Sequence, residues 1–191
     1  MAESPKPQLF RLKNVRCCFP SVFRPEAYKD DAPKYKIKLL IPKGSDMDLA
    51  IREKMVALCQ AKGIKDPEKW FRSIKGSKQQ NCYLDGDDTA FDTPEGHMVL
   101  SAKNSVKPVV VDNVRGADGK PRLLAEEEGK IYSGCRVHVV IDPYVQTGET
   151  AGFRCSFSSV CFAGDDEAFS GGRRGSADDF EDLAVEEESY T

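Results

Sequence analysis

Lys34, Lys36 and Lys38 stand at every second position of PKYKIKLLIP, with Tyr35, Ile37, Leu39 and Ile41 alternating against them. That period belongs to a β-strand, so one face of the strand is cationic and the other apolar. A row of ammonium groups behind a dry face suits a repeating polyanion, whose phosphates it neutralises with release of counterions. The same comb also suits a merely solvated outer face. Further basic groups fall in strand-like or adjoining runs: Arg11, Lys13, Arg16, Lys103, Lys107 and Arg136. Another series, Lys69, Arg72, Lys75 and Lys78, turns away from the apolar side of DPEKWFRSIKG and reads as a phosphate rail.

Aromatic residues interleave with this charge. Phe19, Phe23 and Tyr28 occur in CFPSVFRPEAYKDD. A loop aromatic that cannot reach a core is a platform for a nucleobase, worth about 1–3 kcal/mol per stacked base. Phe19 and Phe23 have the alternative of folding back to plug the core. Tyr28, beside Lys29, is the better stacking candidate; Tyr83 and Tyr144, at strand ends, are weaker ones. Trp70, Phe71 and Ile74 share one helical face and are expected to pack that helix on the body. The candidate nucleic-acid-binding set is therefore Arg16, Tyr28, Lys34, Lys36, Lys38, Arg72, Lys75, Lys78, Tyr83, Lys103, Lys107 and Arg136.

Catalytic chemistry finds little purchase. The two histidines are His97 and His138, and the second alternates with Val137 and Val139 as an ordinary sheet residue would. Asp85, Asp87 and Asp88 in LDGDD invite a divalent cation, but the Gly comes too early for a calcium loop and no Glu closes it. A turn between strands explains them better. There is no Walker A, GxGxxG, GxSxG or HExxH motif, and no Cys–His pair stands out by spacing. The expectation is a protein that is not an enzyme and takes no cofactor or metal. A metal-dependent nuclease built on the three aspartates is the weakest alternative.

The elements that must position these residues are mainly β. LFRLKNVRCCFPSVF reads as a strand running into a Pro-containing loop, and PKYKIKLLIP as a second strand bracketed by Pro33 and Pro42. SDMDLAIREKMVALCQAKG is an amphipathic helix, with Ser45 and Asp48 in a capping-box pattern and Gly63 at the C-terminal stop. DPEKWFRSIKG is a shorter helix opened by Asp66 and Pro67. Beyond residue 80 the strand candidates are NCYL, HMVLSAKN, KPVVVDNV, YSGCRVHVVIDPYV and GFRCSFSSVCF, divided by turns such as DGDD and ADGK. Helices inserted once among short strands argue for a small barrel and against a βαβ sheet. An exposed barrel edge would offer a route to self-association.

Charge is divided along the chain. The formal net charge is −3. From residue 163 onward ten acidic groups face only Arg173 and Arg174, a local charge of −8 that leaves +5 on the body. A modest overall balance is thus no evidence against a polyanionic partner. The seven cysteines are odd in number and include no CxxC, so neither a disulfide framework nor a zinc knuckle fits, and a reducing cytosol is expected. MAESPKPQLF lacks an apolar signal core and no run of 18 apolar residues occurs, so neither secretion nor membrane insertion is expected.

The order of VRCCFPSVFRPEA, PKYKIKLLIPKGSD, the helix ending QAKG, YLDGDD, GHMVLSAKNSVKPVVVD, YSGCRVHVVIDPY and GFRCSFSSVCFAGDDEAFSGG resembles that of a tailed-bacteriophage family of single-stranded-DNA-binding proteins, over roughly residues 8–172. The stretch WFRSIKGSKQQNCYLDGDD is longer and more basic than that pattern. The resemblance implies a five-stranded OB-fold barrel, with a helical insertion at about 45–76 in a domain of residues 1–162. It also implies binding of single-stranded DNA without sequence preference during phage replication and recombination, in the cytoplasm of an infected bacterial host cell. A DNA-annealing or recombination mediator that also binds duplex DNA or RNA is the alternative. Residues 163–191, rich in Gly, Ser and acid, are expected to form a disordered tail that competes with DNA. Within it Phe180, Leu183 and Tyr190 are candidate anchors for replication proteins; a purely solubilising tail is the plainer reading.

Overall fold

The alternating stretches fold as strands of one continuous sheet. The computed structural model describes residues 10–27, 32–75, 77–88 and 95–169. Its strands are β1 (Phe10–Glu26), β2 (Lys34–Pro42), β3 (Tyr83–Asp85), β4 (His97–Asn104), β5 (Val109–Arg115), β6 (Pro121–Leu123), β7 (Arg136–Gln146) and β8 (Gly152–Gly164). They hydrogen-bond in the order β3-β4-β2-β1-β7-β8-β5-β6, antiparallel except for the β5–β8 pair. The mainly β class with inserted helices holds, but the sheet has eight strands rather than five. The additions are short or lateral. β3 and β6 are three-residue edges, and β6 is exposed throughout, so it carries no alternation by which its sequence could announce it.

The sheet curls until β4 meets β8. Asn104 donates from Nδ2 to the Phe157 carbonyl at 2.7 Å, and Asn81 forms an isolated parallel bridge with Phe153. Gly152 permits that approach, because a Cβ there would collide with the Gln80 carbonyl. Inside lie Leu12, Val15, Ile37, Leu39, Leu100, Val137, Val139, Phe153 and Phe157, all within 2% of full burial.

β1 does not stop at its proline. The strand runs through Pro20 because its pairing with β2 shifts register between Cys18 and Ser21, so the missing Pro N–H interrupts no ladder bond. Phe19, at the shift, has a positive φ of 48°.

Both expected helices form. α1 (Asp46–Ala61) begins at Ser45, whose hydroxyl accepts from the Asp48 N–H, and buries Ile51, Met55 and Cys59. α2 (Pro67–Ile74) begins at Asp66, which accepts from the Lys69 N–H at 2.9 Å. Phe71 of α2 meets Phe153 edge-on at 6.0 Å between centroids, and Ile74 is 4% exposed, as their shared face predicts.

The expected boundary at 162 falls inside β8. Residues 165–169 then fold back along the turn at 132–134, where the Phe169 N–H donates to the Ser133 carbonyl at 3.1 Å. The rest of the expected tail, with Phe180, Leu183 and Tyr190, lies outside the described residues, as does Tyr28.

Candidate nucleic-acid interface

The outer face of β1, β2 and β4 collects most of the predicted cations by simple register. Lys36 sits between Ser21 of β1 and Lys103 of β4; Lys38 sits between Cys18 and Ser101. One row further along, Arg136 of β7, Arg16 of β1, Leu40 of β2 and Val99 of β4 lie side by side across four strands. Opposite faces follow from the pleat: Ile37, Leu39 and Ile41 point into the core, so Lys36, Lys38 and Leu40 point out.

Crowding shows in the electrostatics. The Lys38 ammonium is lowered to about 8, first by burial and then by the charges of Lys78 and Lys103, with Cys18 acting in the opposite sense. Lys78, predicted only as the end of a helical rail, thus lies near enough to Lys38 to disfavour its charge. A site where two neighbouring ammonium groups disfavour the charge on Lys38 is one that a phosphate relieves.

The other candidates are distributed differently. Lys34 is exposed opposite Glu26, at the end of the comb, and Lys107 is exposed in the turn after β4. Arg72 on α2 and Lys75 just past its end are exposed and line, with Arg52, Met55, Phe71 and Met98, an open cleft of about 630 Å³. Tyr83 is a core residue: it is 3% exposed and its hydroxyl donates to Asp48 Oδ1 at 2.7 Å, so it offers no ring face to a base. Asp48 also accepts from the Gly44 N–H and from Arg52. Burial alone would raise that carboxyl, but these donors hold it below its usual range.

Two aromatic rings on the outer face were not in the predicted set. Phe19 is 59% exposed, and Lys38 Nζ lies 5.3 Å from its ring centroid. Its alternative role as a core plug is excluded by that exposure, whereas Phe23 does pack against the core. The signal for Phe19 was the adjacent Pro20, which marks an irregular position where a side chain can leave the alternation. The second ring is Phe169, which packs on Cys18, Leu40 and Val99.

Two of the three aspartates are used internally. Lys43 Nζ bridges Asp85 at 2.5 Å and Asp87 at 2.6 Å, and the Asp87 carboxyl is lowered accordingly, first by that contact and then by the Gly96 N–H. Among the described residues no group of three or more His, Cys, Asp and Glu is placed to hold a metal. No helix among them is long and apolar enough to cross a membrane.

Comparison with known proteins places this face in context. Residues 10–190 match the family model described as the Enterobacter phage Enc34 ssDNA-binding protein. The chain belongs to this family. Its relative protein p50 of Acyrthosiphon pisum secondary endosymbiont phage 1 is 34% identical over 181 residues, 93% of this chain and 95% of that one. The single-stranded DNA-binding protein of bacteriophage Enc34, solved in complex with ssDNA, superposes with a TM-score of 0.64 at 29% identity, covering 84% of this chain and 88% of that one. The single-stranded DNA-binding protein gp2.5 of bacteriophage T7 shares the fold, with a TM-score of 0.51 at 18% identity over 96% of this chain and 98% of that one. The family consists of DNA-binding proteins rather than enzymes, in agreement with the missing catalytic motifs.

Proposed function

We propose that the chain binds single-stranded DNA, without sequence preference, across the outer face of β1, β2 and β4. The observation that carries the reading is the cross-strand array of Lys36, Lys38, Lys103, Arg16 and Arg136 on one side of the sheet, in a family whose Enc34 member is known in complex with ssDNA. The array neutralises phosphates, and Phe19 beside Lys38 offers a stacking surface indifferent to base identity. β1, β2, β4, β7 and β8 form the OB barrel that presents this face, with β3, β5 and β6 added around it. Duplex DNA has no splayed bases to offer Phe19, which favours the single strand.

The biological setting follows as part of the same proposal: protection of unpaired strands during phage replication and recombination, in the cytoplasm of an infected bacterial host. The acidic tail beyond residue 175 competes with DNA for the cationic face, and its Phe180, Leu183 and Tyr190 engage replication proteins once displaced.

A salt titration tests the interface. Affinity for an oligothymidylate falls steeply and linearly in log–log form with salt, and Lys36→Ala or Lys103→Ala reduces the slope by roughly one each. Retention of full affinity and slope in the double variant would remove this face from consideration. Competition by duplex DNA and RNA at fixed salt then separates a strand-specific binder from an annealing mediator.

A further inference from the structure

The Arg136–Arg16–Leu40–Val99 row already holds something shaped like a nucleotide. Arg16 and Arg136 are direct cross-strand partners, an arrangement of like charges that costs stability unless an anion lies between them. Asp166 supplies the anion: its Oδ2 is 2.7 Å from Arg136 Nε and 3.5 Å from Arg16 Nε. Three residues on, the Phe169 ring lies under the Arg16 guanidinium, with Cζ 4.0 Å from its centroid. The other contacts of that ring are Cys18, Leu40 and Val99, a small apolar floor on the outer face that is separate from the main core. A flat ring on an apolar floor capped by guanidinium, with an anion on paired arginines beside it, is the recognition chemistry of one nucleotide.

We propose that this row is a nucleotide subsite for unpaired DNA, and that Phe169 and Asp166 occupy it in the DNA-free chain as stand-ins for base and phosphate. The inference rests on the reading of the outer face as the DNA interface, and assigns a particular place on it to one base and its phosphate. Loading a strand requires residues 165–169 to leave.

The strap, residues 165–169, is seated by further contacts, most of them off the DNA-facing row. The Tyr132 hydroxyl donates within reach of Asp165 Oδ1 at 3.0 Å and the Asp166 carbonyl at 2.8 Å, and accepts from the Asp166 N–H at 3.0 Å. Arg16 also donates to the Glu167 carbonyl. Gly134, at a φ of 112°, leaves room for the backbone of Glu167 and Ala168, which any Cβ at 134 would strike. Residues 165–169 are thus a built lid rather than an incidental contact.

The test uses the full chain and a labelled oligothymidylate at fixed salt. Phe169→Ala opens the subsite without altering the arginines and tightens binding about tenfold, the gain expected when a mostly closed site becomes mostly competent. Tyr132→Phe keeps the ring in place, removes the hydroxyl that seats the strap, and shifts affinity in the same direction; it serves where Phe169→Ala perturbs folding. Adding Arg16→Met to Phe169→Ala abolishes the gain, because the cleared subsite has lost its cap. Unchanged affinity in both single variants, or a full gain surviving in the double variant, overturns the subsite while leaving the wider interface standing. Failure of both the full chain and residues 1–164 to bind any strand overturns the interface, and the subsite with it.

Discussion

Lys38 is the cation whose surroundings say most about the interface. Its ammonium is lowered from 10.5 to about 8 by burial and by Lys78 and Lys103. A bound phosphate favours the charged form, so binding takes up a proton where Lys38 has discharged. Affinity for single-stranded DNA therefore falls as pH rises past about 8, approaching tenfold per pH unit for one fully coupled proton. Stability moves the other way. Between the folded and unfolded values the unfolded chain holds more protons, so the wild-type chain gains stability with rising pH relative to Lys38→Met. Affinity and melting measured over this window for wild type and Lys38→Met check both signs; a flat affinity difference between the two would show that Lys38 meets no phosphate.

At the level of elements, the sharpest case is the docking of α1 on β3. Asp48 was legible as a capping-box residue, and Ser45 does cap the helix. What the chain's local pattern does not reveal is that Asp48 spends its carboxylate on Tyr83, 35 residues away, with Gly44 and Arg52 completing the shell. Tyr83→Phe leaves a buried acceptor without one donor and lowers stability by about 1–2 kcal/mol. Oligothymidylate affinity stays unchanged, since the ring faces the helix. Denaturant midpoints and binding curves on the same preparation read both, and weakened binding at full stability would return Tyr83 to the interface. The same contrast explains what else was readable. α1, α2 and the alternating strands follow from period and caps, which are local. β6, with three exposed residues, has no period, and the passage of β1 through Pro20 depends on a register shift set by its partner strand. The lysine comb could be read from one strand; the neighbourhood of Lys38 and Lys78, and the placing of Phe19, required the sheet.

On the scale of the whole molecule, the proposed roles of tail and strap amount to two distinct layers of competition for one face. In the function proposed above, the acidic residues beyond 175 compete by salt-screened charge attraction, individually weak but acting at an effective concentration of order mM on a short tether. Residues 165–169 act differently: Phe169 is packed on an apolar floor and a guanidinium, and an apolar contact is insensitive to ordinary salt. Deleting residues 176–191 therefore raises affinity strongly at low salt and little at high salt, whereas the gain from Phe169→Ala persists across the titration. Combining the two changes gives both effects, because each removes a separate obstacle. Anisotropy titrations of the four chains at low and high salt check this. If the two gains share one salt dependence, the strap and the tail are a single electrostatic competitor; if tail deletion weakens binding, the terminal acid is not a competitor at all.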